Sequence, residues 1–164
     1  MLVIYHRKRV SNMTACTFFG HRDCYNLQEE ELEKAIIDLI GRGVDTFYVG
    51  NQGHFDGVAR KLLKKLQKDY PHIRYAVVLA YLPTERREYE NYEDTIYPEG
   101  LECVPRKFAI AKRNQWMLER AQYCICYVAH SCGGAYRFAV QAKKQGKCLI
   151  QLGPYTLDDM ACDL

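Results

Sequence analysis

Three short glycine-containing segments carry the side chains best suited to binding an anion. They are Gly20-His21-Arg22, Gly50-Asn51-Gln52-Gly53 and Ser131-Cys132-Gly133-Gly134. The first two follow directly on apolar runs, and the third follows such a run after His130. Arginine offers a planar fork of donors for phosphate or carboxylate, and histidine can donate or accept a proton. A glycine-rich start of a helix presents backbone amides to anions. Together the three segments predict a pocket for a phosphate-bearing ligand.

Two charged residues outside these three segments extend the predicted site. Arg113 is a second candidate for holding phosphate, and an ordinary surface salt bridge explains its charge equally well. Asp56 stands where a helix is expected to start, so it either binds a ribose hydroxyl or is only a favourable acid in the first turn. The role of His21 is open between a general acid or base and an organiser of its loop.

The sequence assigns no catalytic residue. Ser131 and Cys132 are nucleophile types, but no paired base is evident for them. The histidines and cysteines are too scattered to predict a metal site. The chain also lacks GxGxxG, the usual dinucleotide fingerprint, and GxxxxGKS/T, the phosphate loop of Walker-type nucleoside triphosphatases. These absences argue against both standard nucleotide motifs.

Strand-like and helix-like segments alternate along the chain, and they predict the elements that position the three glycine-containing segments. Short apolar runs predict strands, and longer stretches with apolar residues at helical spacing predict helices. The predicted strands span residues 15–19, 44–49, 73–80, 123–129 and 147–152, and the predicted helices span residues 28–42, 56–70, 106–122 and 135–145. Asn26 is the expected N-cap of the first helix. Strands that alternate with helices predict an α/β fold whose parallel sheet is covered on both faces.

Residues 81–105 form the longest stretch without a clear pattern. The stretch contains Pro83, Pro98 and Pro105 together with tyrosines and acids. Loops of this length are commonly functional, so a lid over the site and a wandering surface loop both remain open.

The composition is that of one ordinary globular domain. The 164 residues are 48% hydrophobic and 26% charged, and the net charge of +3 is too small to argue for nucleic acid. No apolar run approaches the roughly 20 residues of a membrane helix. We predict a non-native or disordered N-terminal extension at residues 1–12 and a single domain at residues 13–164.

The eight cysteines predict reduced thiols in a cytoplasmic protein. They occur inside apolar runs, as Cys124 and Cys126 do, or singly in loops, and the chain contains no CxxC pair. Buried cysteines behave as small hydrophobic residues, whereas a disulfide framework belongs to short secreted chains.

Four motifs, in this order, resemble the SLOG superfamily and, within it, the DUF1273 (YpsA-like) branch. They are CTFFGHR at residues 16–22, FYVGNQGHFD at residues 47–56, RNQWM at residues 113–117 and SCGGA at residues 131–135. The resemblance covers residues 13–152 and extends more distantly to LOG and DprA proteins. It implies a Rossmann-like, three-layer α/β/α fold with a mainly parallel sheet of about five strands. It also adds Phe55 and Asn114, which lie inside two of the motifs, to the ligand-binding residues.

The resemblance implies a pocket for a nucleotide or nucleotide-derived ligand, such as a nucleoside phosphate or an ADP-ribose-like molecule, and no other cofactor. LOG phosphoribohydrolases carry PGGxGTxxE, whose glutamate is catalytic. In this chain the motif would begin at Cys132, and its glutamate position is Val140. Its proline, third glycine, threonine and glutamate are absent, which favours a sensor or binding module over an enzyme.

Two alternative functions remain open. The first is a LOG-like hydrolase of a nucleotide N-glycosidic bond that uses a replacement carboxylate, such as Asp23, Asp56 or Glu85. The second is a DprA-like protein that binds single-stranded DNA in a basic groove with aromatic residues. We also expect a homodimer or higher homo-oligomer, because aromatic-rich loops and apolar helix faces are abundant. We expect no membrane association, because no apolar run is long enough to cross a bilayer.

Overall fold

A single parallel sheet forms the centre of the molecule. The computed structural model describes residues 2–3, 13–83 and 95–157. The strands of the sheet are β1 (Leu2–Val3), β2 (Ala15–Gly20), β3 (Thr46–Val49), β4 (Arg74–Val78), β5 (Thr95–Ile96), β6 (Tyr123–Tyr127) and β7 (Cys148–Leu152). The helices are α1 (Glu29–Gly41), α2 (His54–Asp69), α3 (Arg106–Arg120) and α4 (Gly133–Lys144).

The order of the strands creates a switch point at the middle of the sheet. The strands lie in the order β1-β5-β4-β3-β2-β6-β7, and all pairs are parallel. From β2 the chain builds outward through β3 and β4, and it then returns to place β6 on the other side of β2. β2 and β6 are paired from Cys16 and Tyr123 to Gly20 and Tyr127. Ligands of such sheets bind beyond the carboxyl ends of the two strands that flank this reversal.

Helices cover both faces of the sheet and bury two apolar cores. Neighbouring residues of β2 point to opposite sides, since Phe18 belongs to the core under α1 and α2 and Phe19 belongs to the core under α3 and α4. Ile125 and Cys126 of β6 divide in the same way. Burial on both faces explains why all residues of Ala15–Phe19 except the buried Thr17 are apolar. The predicted three-layer α/β/α architecture is confirmed.

The five longer strands and the four helices match the predicted elements, with ends that shift by a few residues. The predicted N-cap was wrong, because Gln28, not Asn26, precedes α1, and its side chain makes no capping hydrogen bond. The acids in the first turn of α1 stabilise its start instead. The sheet also contains β1 and β5, two-residue strands whose pairs are too few to leave a pattern in the sequence.

Two predicted segments lie partly outside the described residues. Within the predicted extension 1–12, only the strand Leu2–Val3 is described, and it pairs with Thr95–Ile96. Within the irregular stretch 81–105, residues 84–94 are not described, and the described part includes β5 and a short 3-10 turn at Leu101–Cys103. The assignments as an extension and as a lid or surface loop stay predictions. None of the described helices is both long and apolar enough to cross a bilayer.

Candidate functional site

A cavity of about 390 Å³ opens at the switch point between β2 and β6. Its walls come from the loops that follow these strands, from the loop after β3, and from the faces of α3 and α4. The lining residues are Phe18, Phe19, Gly20, His21, Arg22, Asp23, Gln52, Asp56, Ile110, Arg113, Asn114, Met117, His130, Gly133, Gly134 and Ala135. A cavity of this size accommodates a small ligand.

His21 lies at the floor of the cavity with an unused nitrogen. Its backbone N–H donates to the carbonyl of Tyr127 at 3.3 Å, which ties the loop after β2 to β6. The side chain is only 8% exposed, and its buried Nε2 has no hydrogen-bond partner. Burial, with the nearby His130 as a smaller cause, holds the pKa of His21 below its ordinary value. The ring therefore favours its neutral form, and its Nε2 is left without a hydrogen bond inside the fold.

The loop after β6 brings a second histidine against the first. The rings of His21 and His130 stack with their centroids 3.8 Å apart. Cys132 Sγ lies 3.1 Å from His130 Nδ1. The next residue, Gly133, has a φ of 85°, a conformation that glycine adopts without strain, and it starts α4.

The first turn of α4 forms one wall of the cavity. Gly133, Gly134 and Ala135 all line it. The first backbone N–H groups of a helix have no partner inside the helix, so this wall is suited to an anion. A β-carbon at Gly134 would meet no atom within 4 Å, so the space beside this glycine is open.

Arg113 reaches the cavity from the middle of α3, and it is only 2% exposed. Its Nη1 donates to the carbonyl of Val78 at 2.8 Å, and its Nε donates to Asn114 Oδ1 at 2.8 Å. Nη1 also lies 3.5 Å from Asn51 Oδ1. Within the described residues, Nη2 has no recorded partner. The guanidinium is therefore fixed by protein contacts while one terminal nitrogen remains for a ligand.

Asp56, at the start of α2, is the buried carboxylate of the site. It is 8% exposed, and its Oδ2 accepts a hydrogen bond from the backbone N–H of Gln52 at 2.9 Å. Burial raises the pKa of Asp56, and the positive charge of Arg113 opposes that rise. Burial conversely lowers the pKa of Arg113, and the charge of Asp56 opposes that change. The two groups therefore partly neutralise each other inside the fold.

Gly50 allows these two charged groups to approach the end of β3. A β-carbon at this position would lie 2.5 Å from Asp56 Oδ2 and 2.8 Å from Arg113 Nη1. Gly53 plays a similar part at the rim, where a β-carbon would lie 2.8 Å from the Cα of Arg22. The N–H of His54 donates to the carbonyl of Arg22 at 3.0 Å. The loops after β2 and β3 are thus held in direct contact.

The structure brings most of the predicted site residues to one cavity. Nine of them line it: Gly20, His21, Arg22, Gln52, Asp56, Arg113, Asn114, Gly133 and Gly134. Five lie behind or beside it: Gly50, Asn51, Gly53, Phe55 and Ser131. Phe55 is 1% exposed and its ring fills the place of a β-carbon at Gly20, so it supports the loop from inside the core.

Sequence reasoning missed His130 as a member of the site. The signal that could have found it is its position, because it lies in the loop just after β6, as His21 lies in the loop after β2. Parallel neighbours that end together bring such residues into contact. Asp23, a candidate from sequence only as a replacement carboxylate, also lines the cavity. Among the described residues there is no cluster of histidine, cysteine and acidic side chains that could hold a metal ion.

Comparison with known proteins identifies the fold. No family model matches the chain, and no curated protein matches it in sequence. The structure is similar to the X-ray structure of DNA processing protein A (DprA) from Streptococcus pneumoniae, with a TM-score of 0.64 and 17% sequence identity. The fold is of the Rossmann-like, DprA type. The match covers 92% of this chain and 54% of the other, so the chain spans about half the length of that protein.

Proposed function

We propose that this protein binds a nucleotide or nucleotide-derived ligand, such as a nucleoside phosphate or an ADP-ribose-like molecule, and acts as a sensor or binding module. The observation that carries the proposal is a pair of donors or acceptors left unused in one cavity. His21 Nε2 is buried without a partner, and Arg113 Nη2 has no recorded partner among the described residues. Both residues line the cavity beside the first turn of α4. A phosphate placed there would gain hydrogen bonds that the protein alone does not make.

The remaining parts of a nucleotide have matching neighbours. Asp56 and Gln52 line the same cavity and offer acceptor and amide groups to sugar hydroxyls. Exposed Arg22 adds a second cation at the rim. The four motifs that resemble the SLOG superfamily and its DUF1273 branch support the same assignment.

The test is a thermal-shift screen with nucleoside monophosphates, ADP-ribose and NAD. A ligand that binds only the folded state adds about 2.7 kcal/mol of stability at a hundredfold excess over Kd. We expect one of these compounds to raise the melting temperature of the wild type and not that of Gly134→Val. The variant should fold normally, because a β-carbon at residue 134 would meet no atom within 4 Å. The valine side chain would, however, occupy the space beside the first turn of α4, where the anion is expected to bind.

Gly41→Val is the matched control. Gly41 is also helical, and a β-carbon added there would also meet no atom within 4 Å, but it ends α1 away from the cavity. This variant should retain the full ligand-induced shift. If no compound shifts the wild type, or if Gly134→Val responds as strongly as Gly41→Val, the proposed site is wrong.

A second candidate function is hydrolysis of a nucleotide N-glycosidic bond. It is favoured by the carboxylates Asp23 and Asp56, which both line the cavity. The raised pKa of Asp56 suits a group that gives a proton to a leaving base. Release of free base from a bound nucleotide, measured by chromatography, tests this function. Asp56→Asn should abolish the release, and release that persists in this variant would exclude Asp56 as the acid.

Binding of single-stranded DNA is a third candidate, favoured by the DprA-type fold. Tyr25 is 83% exposed, and its ring lies 6.1 Å from that of His54, whose backbone N–H donates to the carbonyl of Arg22. Exposed aromatic rings beside a cationic groove stack unpaired bases. Fluorescence anisotropy with an oligonucleotide tests this candidate. Affinity should fall as salt rises and should decrease in Tyr25→Ala, whereas an unchanged affinity in that variant would contradict it.

A further inference from the structure

Cys132 lies beside the cavity in contact with a proton acceptor. Its Sγ is 3.1 Å from His130 Nδ1, and this contact is exposed to solvent. An imidazole at this distance can take the thiol proton, as it does where histidine activates a cysteine. Cys132 is also the N-cap of α4, and its side chain makes no capping hydrogen bond.

His21 is an independent sign that a small polar molecule enters this part of the site. Its ring stacks on His130, and it is more than nine-tenths buried, with an exposed fraction of 8%. Its Nε2 has no hydrogen-bond partner, although the residue lines the cavity. A buried nitrogen without a partner is costly, and in a folded protein it commonly marks the place of a missing water or ion. The stack also holds the His130 ring in place beside Cys132.

The other described cysteines lack this environment. Four of them are buried, namely Cys16, Cys24, Cys124 and Cys126. Burial raises the pKa of the Cys24 thiol to about 11 and that of Cys126 to about 12, so these thiols stay protonated. Cys103 and Cys148 are exposed, but within the described residues neither has a recorded contact with a histidine. Cys132 is thus the described cysteine that combines exposure with a base.

We propose that Cys132 is a reactive thiol that exchanges with low-molecular-weight disulfides, with His130 as the base that deprotonates it. His130 Nδ1 takes the thiol proton, and the resulting thiolate attacks one sulfur of the small disulfide. A new S–S bond forms as the old one breaks, and the departing thiolate takes the proton from His130. The products are a mixed disulfide at Cys132 and one small thiol, so electrons and protons balance without another reactant.

The test is incubation of the full chain with oxidised glutathione at neutral pH, with peptide mass spectrometry to follow each cysteine over time. Cys103 and Cys148 are internal references, because they are exposed and, among the described residues, have no recorded contact with a histidine. We expect glutathione to add to Cys132 at least about tenfold faster than to either reference. His130→Gln should slow addition at Cys132 about tenfold and leave the rates at both references unchanged.

His72→Gln is the matched control, because it makes the same substitution at an exposed histidine that packs on Tyr70 and does not line the cavity. It should leave the rate at Cys132 unchanged. The proposal is overturned if the three exposed cysteines react at equal rates, or if Cys132 reacts as fast in His130→Gln as in the wild type. The assay contains no nucleotide, so its result is separate from that of the ligand screen.

Discussion

At the scale of single residues, the site depends on positions where a β-carbon has no room. Gly50 is the clearest case, because its missing side chain leaves space for both Asp56 and Arg113. Neither partner can move freely, since Asp56 Oδ2 accepts from Gln52 and Arg113 Nη1 donates to Val78. A methyl group at position 50 would therefore break a buried hydrogen bond as well as crowd the core.

Gly50→Ala should destabilise the protein by about 1–3 kcal/mol, the usual cost of overpacking a core. Urea denaturation of the wild type and the variant measures the change in free energy of unfolding. Gly57→Ala is the control, because the nearest atom to its β-carbon would be 3.9 Å away inside α2. That control should be stabilising by about 0.5–1 kcal/mol. Equal effects at both glycines would contradict the close approach at Gly50.

His21 predicts how stability depends on pH. The pKa of His21 in the folded protein is below the ordinary value of 6.5, so on acidification the unfolded chain takes up this proton at a higher pH than the folded protein does. The contribution of His21 to the free energy of unfolding is then fully present above pH 6.5. It is lost as the pH decreases from 6.5 toward the pKa of His21 in the folded protein. Urea denaturation between about pH 5 and pH 8 should show a weaker fall in His21→Asn than in the wild type. Parallel curves would mean that His21 does not titrate in this way.

At the scale of elements, one arginine connects three of them. Arg113 of α3 donates to Val78 at the end of β4, and it lowers the pKa of Asp56 in α2. Because the guanidinium is buried with the carboxylate, the position of α3 over the sheet depends on charge as well as on apolar contact.

Arg113→Met should destabilise the protein by about 3 kcal/mol, since it leaves the Val78 carbonyl and the Asp56 carboxylate buried without this partner. Adding Asp56→Asn should restore at least about 1 kcal/mol, because the second change removes the unbalanced charge. A double-mutant cycle by urea denaturation measures both values. Strictly additive losses would show that the two residues are not coupled.

The elements were predictable where their pattern was strong, and the site only in part. Apolar runs such as Ala15–Phe19 and the spacing of Leu32, Ile36 and Leu39 defined the strands and helices. The pairs of β1 and β5 are too short to leave a pattern. Phe55 was counted with the ligand-binding residues because its motif contains it, whereas its direction is set by tertiary packing under Gly20. His130 was missed because its stacking partner lies more than half the chain away.

At the scale of the whole molecule, apolar side chains remain on the surface near the start of α3. Phe108 is 53% exposed and Leu82 is 48% exposed. The hydroxyl of Tyr81 donates to the carbonyl of Arg106 at 3.1 Å, which ties the segment that contains Leu82 to the first residue of α3. Neighbouring exposed apolar groups are typical of a surface that associates with another protein.

We expect the homodimer predicted from the sequence to use this surface. Phe108→Ser should shift the protein toward monomer in sedimentation velocity experiments at several concentrations, because it removes apolar area from the interface. Tyr25→Ser changes an exposed aromatic residue in the loop between β2 and α1 instead, so it should leave the association unchanged. A wild type that is monomeric at all concentrations, or a dimer that withstands Phe108→Ser, would contradict this prediction.

The parallel pairing of β2 with β6 also has a consequence for how the protein is made. The N–H of Ala15 at the start of β2 donates to the side chain of Gln122 just before β6, 107 residues later in the chain. A growing chain on the ribosome can pair β2 with β3 soon after both emerge, but the other edge of β2 must wait for β6. The cavity needs the first turn of α4 as well, so ligand cannot assist folding until translation has passed that helix.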